Sequence, residues 1–174
     1  MIGHTRLLSV LTSLVKRTRA DGVSVCAQAR TRRVFRFAHE AIHQDLAQES
    51  VNVTVKVIAN RRVGVGSAGT LEPESLKRCV RSALEIAKHS PAADVLPPLP
   101  AGQRIRSTAD HVAATARVSP ASSVAELKRL YRICRGAGAQ LAGSIILGED
   151  ELAVVNSAET SCYAASTVAG AKLV

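Results

Sequence analysis

Residues His39, Glu40 and His43 form the pattern HExxH. On an α-helix this spacing sets both imidazoles on one face, where they hold a zinc ion while the glutamate acts as general base. The neighbouring residues argue against a helix. Val34-Phe35-Arg36-Phe37 alternates just before the motif, and no apolar stripe of period 3.6 runs through it. On a strand, two histidines four residues apart share a face but stand about 13 Å apart at about 3.3 Å per residue, too far to share a metal. Glu72 or Glu74 would serve as a distant third ligand only if the segment were helical. No metal ligand is assigned here.

Residues 64–69, Gly-Val-Gly-Ser-Ala-Gly, match GxGxxG between a strand and a helix. In a dinucleotide-binding fold the helix begins inside the motif, so that its N-terminus meets the pyrophosphate, and the preceding strand is buried on both faces. Here the preceding strands alternate, the helix starts beyond Gly69, and a proline-rich stretch stands where the next parallel strand belongs. The glycines are expected to serve tight packing, and no cofactor-binding residue is assigned.

Arg30, Arg32, Arg33 and Arg36 gather positive charge at what reads as the turn of a hairpin, Arg30-Thr31-Arg32-Arg33. Such a cluster can neutralise phosphates, and Phe35 and Phe37 flanking Arg36 outline a stacking platform. Both phenylalanines fall on one side, the core side, which leaves Arg36 outside. The hairpin is therefore expected to face solvent or a protein partner. Cys26, Cys79, Cys134 and Cys162 are all more than 20 residues apart, so no CxxC pair points to zinc or redox work, and no catalytic residue is assigned. Cysteines in predicted helices and strands behave as small hydrophobes, which fits a reduced, cytoplasmic protein.

The elements that must position these residues follow from periodicity. Leu7, Leu8, Leu11, Leu14 and Val15 recur at helical spacing until Asp21-Gly22. The same stretch could pass for a signal-peptide core, but Lys16-Arg17-Thr18-Arg19 follows it without a small-residue cleavage site, so export is not expected. From Val23 the period is two, through Val25 and Ala27, the basic turn and Val34–Phe37. A further strand runs over Ser50–Ala59, its alternating valines implying a sheet with one buried face. Asn60-Arg61-Arg62 turns the chain into a short strand around Val63–Gly66. A second helix opens near Thr70 with Glu72, Pro73 and Glu74 and ends at Lys88-His89, in accord with the helix dipole.

Residues 91–107 hold four of the six prolines and read as a linker. Beyond them come a helix over about Ala121–Arg135, strands over Leu141–Leu147 and Leu152–Asn156 joined by the acidic turn Gly148–Glu151, and a last strand over Ser161–Ala169. The expected class is α+β: two helix-plus-antiparallel-sheet units joined by a proline-rich linker. The first unit is residues 1–90 (helix, four strands, helix) and the second is residues 108–174, still reading as strand at its end and thus expected to be incomplete, as in a fragment. Phe37–Ala41 and Val155–Glu159 hold the same place in each unit, the mark of a weak internal duplication.

Composition narrows the classes further. No apolar run approaches the ~18 residues of a membrane span. With two Phe, two Tyr and no Trp in 174 residues, the core must be built of Ala, Val, Leu and Ile. Lys and Arg number 23 against 14 acids, a net charge of +9, and six of those nine excess charges sit in the first 40 residues. Charge of this sign permits acidic partners without naming one. Arginine outnumbers lysine 17 to 6, a bias that genome composition also produces.

The run Arg36–Pro91 resembles the N-terminal domain of the TldD/PmbA metallopeptidase family, once described as modulators of DNA gyrase. The likeness lies in a strand ending Arg36-Phe37-Ala38, then Ile42-His43-Gln44, an alternating valine strand, a small-residue strand, and a helix beginning near Pro73-Glu74-Ser75-Leu76. It continues with Thr115-Ala116 before Ser119-Pro120, a helix, then Val155-Asn156-Ser157 leading into a strand with Thr167. The Ile-His-Gln form and the small residues look more like the PmbA (TldE) side than the TldD side. The resemblance implies a paired complex that cleaves small or unfolded peptides, with zinc held by an HExxxH motif and further ligands of the TldD subunit, beyond the segment matched here. No HExxxH occurs in this chain, and the place of His39 is commonly Asn or another non-ligand in the family. The implied role is non-catalytic: scaffold and assembly in proteolysis, beside a homologous subunit. The alternative is a small basic module that binds nucleic acid through Arg30–Arg36.

Overall fold

Leu7, Leu11 and Val15 recur every four residues and form the buried face of α1 (His4–Arg17), whose last turn carries Lys16 and Arg17 against the helix dipole. The computed structural model describes residues 1–102 and 110–174. Gly3, at the N-cap, supplies no capping side chain.

Two long strands follow, β1 (Gly22–Ala38) and β2 (Ala41–Ala59), then the short β3 (Arg62–Ala68). Val23, Val25, Ala27 and Ala29 are buried, Arg30–Arg33 are exposed or half-buried, and burial returns on the same odd-numbered phase at Phe35 and Phe37 within one continuous strand. Arg30–Arg33 are therefore strand interior, which corrects the expectation of a basic turn. Three strands, not four, separate the first two long helices. The real turns are His39-Glu40 and Asn60-Arg61, whose four φ angles of 47°, 60°, 50° and 62° are those of the two-residue hairpin that matches strand twist. β3 pairs antiparallel with β2 only from Val53↔Ala68 to Ala59↔Arg62, and residues 41–50 of β2 are exposed.

Helix α2 (Pro73–His89) starts with proline and Glu74 in its first turn and buries Leu76, Cys79, Ala83 and Ala87. After the short α3 (Ala113–Ala116) comes α4 (Pro120–Gly136), where the Ser119 hydroxyl oxygen accepts the amide of Ser122 at 3.1 Å. The chain ends in β4 (Gly143–Asn156) and β5 (Ser161–Leu173). The expected acidic turn Gly148–Glu151 is again strand interior, and β5 runs past Ala169. The five strands form one antiparallel sheet in the order β3-β2-β1-β4-β5, an α+β fold. Residues 37–41 and 155–159 each bridge two long strands that follow a helix, the correspondence that the duplicated pattern anticipates.

Two compact units are present. One comprises Met1–Ala29, Ser50–Thr108 and Glu151–Ala164, and its core joins Leu7 and Leu11 of α1, the valines of β1 and β2, and Cys79 and Ala83 of α2. The other comprises Arg30–Glu49, Ala109–Asp150 and Ala165–Val174, with Phe37, Leu127, Tyr131 and Leu141 at its centre. There the Phe37 and Tyr131 rings meet edge to face at 6.1 Å. The proline-rich stretch up to Gly102 is stitched to the first unit: the carbonyl of Pro100 accepts from Asn156 and Thr160, and the amide of Gly102 donates to Ala158. Residues 103–109, where that stretch ends and the second expected unit begins, lie outside the described residues.

Candidate functional site

The HExxH residues do not converge. His39 and Glu40 form the β1–β2 turn, Glu40 is bound by the guanidinium of Arg135, and His43 Nε2 lies 2.9 Å from the carbonyl of Ala38. A zinc ion needs both imidazoles aimed at one point with the carboxylate free. That donor set does not fit zinc, and among the described residues no group of three or more His, Cys, Asp or Glu side chains is placed to hold a metal. Around the turn lies a cleft of about 330 Å³ lined by Tyr131, Cys134 and Arg135. Burial pushes the Tyr131 phenol up, and the charge of Glu40 adds to this, so the hydroxyl stays protonated.

The glycine motif packs. A β-carbon on Gly64 would stand 1.9 Å from the carbonyl oxygen of Ala83, and one on Gly66 would stand 2.5 Å from that of Cys79. Both glycines thus let α2 rest directly on β3, which accords with the expected packing role. Burial raises the Cys26 and Cys79 thiols above their ordinary value, against a nucleophilic thiolate.

The arginines meet carboxylates of their own chain. Arg32 bonds both oxygens of Asp150 at 2.8 and 2.6 Å and also reaches the carbonyls of Thr31 and Glu149. Arg30 lies 3.2 Å from the same Asp150, and Arg33 grips Asp45 bidentately at 2.9 and 2.6 Å while its guanidinium sits 5.2 Å from the Phe35 ring centre. The hydrogen bond from Arg33 holds the Asp45 carboxyl below its ordinary range. The two charged stretches that read as turns are thus partners on β1 and β4, and Asp150 spends the charge that a phosphate would need. Phe35 and Phe37 are buried, which leaves no exposed ring there for a base. Beside this ladder His111 Nε2 stands 2.8 Å from Glu149.

Glu151 is the residue that the sequence reading misplaced. It is 3 % exposed, and its carboxylate accepts the amides of Ile2 and Gly3 at 2.6 and 2.8 Å and the Tyr163 hydroxyl at 2.7 Å. Burial alone would push its carboxyl up, but these three donors outweigh it and leave the acid below its ordinary value. The signal was available: Glu151, Ala153 and Val155 share one alternation phase, so the glutamate points inward.

No protein-family model matches the chain, and no curated protein matches it either. Solved structures do. TldE from Thermococcus kodakarensis superposes with a TM-score of 0.82 at 16 % identity, over 95 % of this chain and 39 % of that one. A candidate modulator of DNA gyrase from Bacteroides thetaiotaomicron gives 0.81 at 13 %, over 99 % of this chain and 41 % of its own. Another from Thermotoga maritima gives 0.75 at 15 %, over 95 % and 37 %. The chain has the fold of these proteins and spans about two fifths of their length.

Proposed function

We propose that this chain is a non-catalytic scaffold and assembly part of a TldD/PmbA-type metallopeptidase subunit of the TldE kind, working beside a homologous metal-bearing subunit in proteolysis of small or unfolded peptides. The observation that carries the proposal is the superposition on TldE across nearly the whole chain, joined to the motif order around Ile42-His43-Gln44 and Pro73-Glu74. The engaged state of Glu40 and His43 supports a role without metal. Among the described residues no helix is long and apolar enough to cross a membrane.

Co-expression with a TldD-type subunit, followed by size-exclusion chromatography with light scattering and a peptide-hydrolysis assay, tests the proposal. A stoichiometric complex is expected, with no hydrolysis by this chain alone. Stoichiometric zinc lost on His39→Ala would overturn it. So would strong, steeply salt-dependent DNA binding abolished by Arg30→Ala, Arg32→Ala and Arg33→Ala together.

A further inference from the structure

Between α1 and α2 runs an open cleft of about 620 Å³. Its floor is Val10 and Leu14 from α1 with Leu76, Val80 and Leu84 from α2. Leu76 is buried, while Val10, Leu14, Val80 and Leu84 pack on the core and stay partly open to water. Both helices already bury a full stripe against the sheet, so the sheet does not call for this second apolar surface. The cleft's wall on α2 extends from Pro73 to Lys88, about 22 Å at 1.5 Å per residue, four turns of helix. A trough of that length between two helices receives the ridges of a third helix better than it encloses a small molecule.

The rim sets the charge of the occupant. Lys77 and Lys88 line the cleft but are matched by Glu74 and Glu85, each at 2.6 Å. Arg17 and Arg81 also line it, are exposed, and among the described residues have no carboxylate within salt-bridge distance. Arg17 and Arg81, neither in an ion pair among the described residues although Arg81 lies near enough to Glu74 to lower its carboxyl, flank an apolar floor beside the paired Lys77 and Lys88, so the complementary ligand is apolar along one face and acidic at its margins. The long helices α1, α2 and α4 of a second copy do not offer that surface. The outer face of α4 carries Lys128, Arg129, Arg132 and Arg135 against Glu126, and α1 and α2 are themselves basic. A bilayer is excluded from a concave trough and has no tryptophan to anchor it.

We propose that the α1–α2 cleft docks an amphipathic helix of another protein, one whose apolar stripe is flanked by acidic residues. This goes beyond the assembly role above, and its test uses the chain alone, so its failure leaves that reading standing. The probe is a fluorescein-labelled synthetic peptide of about four helical turns, with leucines at three- and four-residue spacing and flanking glutamates. Its partner probes carry lysine for glutamate, or two central prolines. Anisotropy should show saturable binding of the acidic peptide, weaker by about tenfold or more for the lysine and proline peptides. Arg17→Glu with Arg81→Glu should reverse the preference toward the lysine peptide; both positions are exposed, and circular dichroism checks that the fold is kept. Equal binding of acidic and basic peptides, binding of none of them, or retention on phosphatidylglycerol vesicles in place of the acidic peptide would overturn the proposal. A dimer of this chain that the double substitution dissolves would overturn it as well.

Discussion

Glu151 and Gly3 are 148 residues apart in sequence and 2.8 Å apart in space, carboxylate oxygen to amide nitrogen. A strand residue thereby anchors the two amides that lead into α1, its negative charge set at the positive end of the helix, and Tyr163 from the neighbouring strand holds the carboxylate in place. Replacing Glu151 by Gln keeps the shape but removes the charge and turns one accepting oxygen into an NH2 that cannot accept a backbone amide, so at least one bond is lost and the others weaken. Urea unfolding of Glu151→Gln should show a loss of about 1–3 kcal/mol, with about 1 kcal/mol for Tyr163→Phe. The double variant should lose less than the sum, because both changes act on one network.

The same carboxyl gives the fold an acid limb. Its folded-state value lies below the ordinary 4.5. The stability it contributes is full above the unfolded-state value and drains as pH falls through the lower folded-state one. Thermal melting between neutral pH and the acid range should fall for the native chain below pH 4.5 and fall less for Glu151→Gln.

The glycine motif can be tested as packing. Gly64→Ala drives a methyl group into the backbone of α2, whereas a methyl at Gly69 would have its nearest neighbour, the oxygen of Val51, at 4.0 Å. Gly64→Ala should lower stability by at least about 1–3 kcal/mol, the ordinary cost of overpacking. Gly69→Ala should stay within about 0.5 kcal/mol of the native chain by the same unfolding assay.

The arginines of β1 should divide by partner. Arg32→Ala strips Asp150 of its bidentate donor in a half-buried site and should cost about 1–3 kcal/mol. Arg36 is exposed, and among the described residues it has no ion pair, so Arg36→Ala should be nearly neutral. Denaturant titration of the two variants side by side measures the difference.

Alternation and helical spacing were enough to read α1, α2, α4 and the sheet's buried face, since Leu7, Leu11, Val53, Val55 and Leu127 report burial directly. Charge misled twice. Arg30–Arg33 and Gly148–Glu151 look like turns because isolated charges avoid strand interiors, yet Arg30 and Arg32 meet Asp150 across β1 and β4, Arg33 meets Asp45, and Glu151 meets the amides of Ile2 and Gly3. A partner more than a hundred residues away leaves no mark on local composition. The odd-numbered inward phase of Val23–Ala29, taken up again in register at Phe35 and Phe37, is the better guide. At the candidate site, the patterns HExxH and GxGxxG were legible as spacing, but what decides them is backbone: positive φ at His39 and Glu40, and the closeness of α2 to Gly64.

β3 meets β2 only from Val53 onward, so Ala41–Asn52 is a border strand, bonded to β1 on one side and facing water on the other. Amides there alternate between those locked into the ladder and those that point outward, and among the described residues no third strand shares the work of holding them. Opening of this stretch breaks one row of bonds and exposes little new apolar surface, which places it at the least protected end of the sheet. The exposed Glu49 sets a charge on that border, a deterrent to a stray strand that would otherwise complete the row.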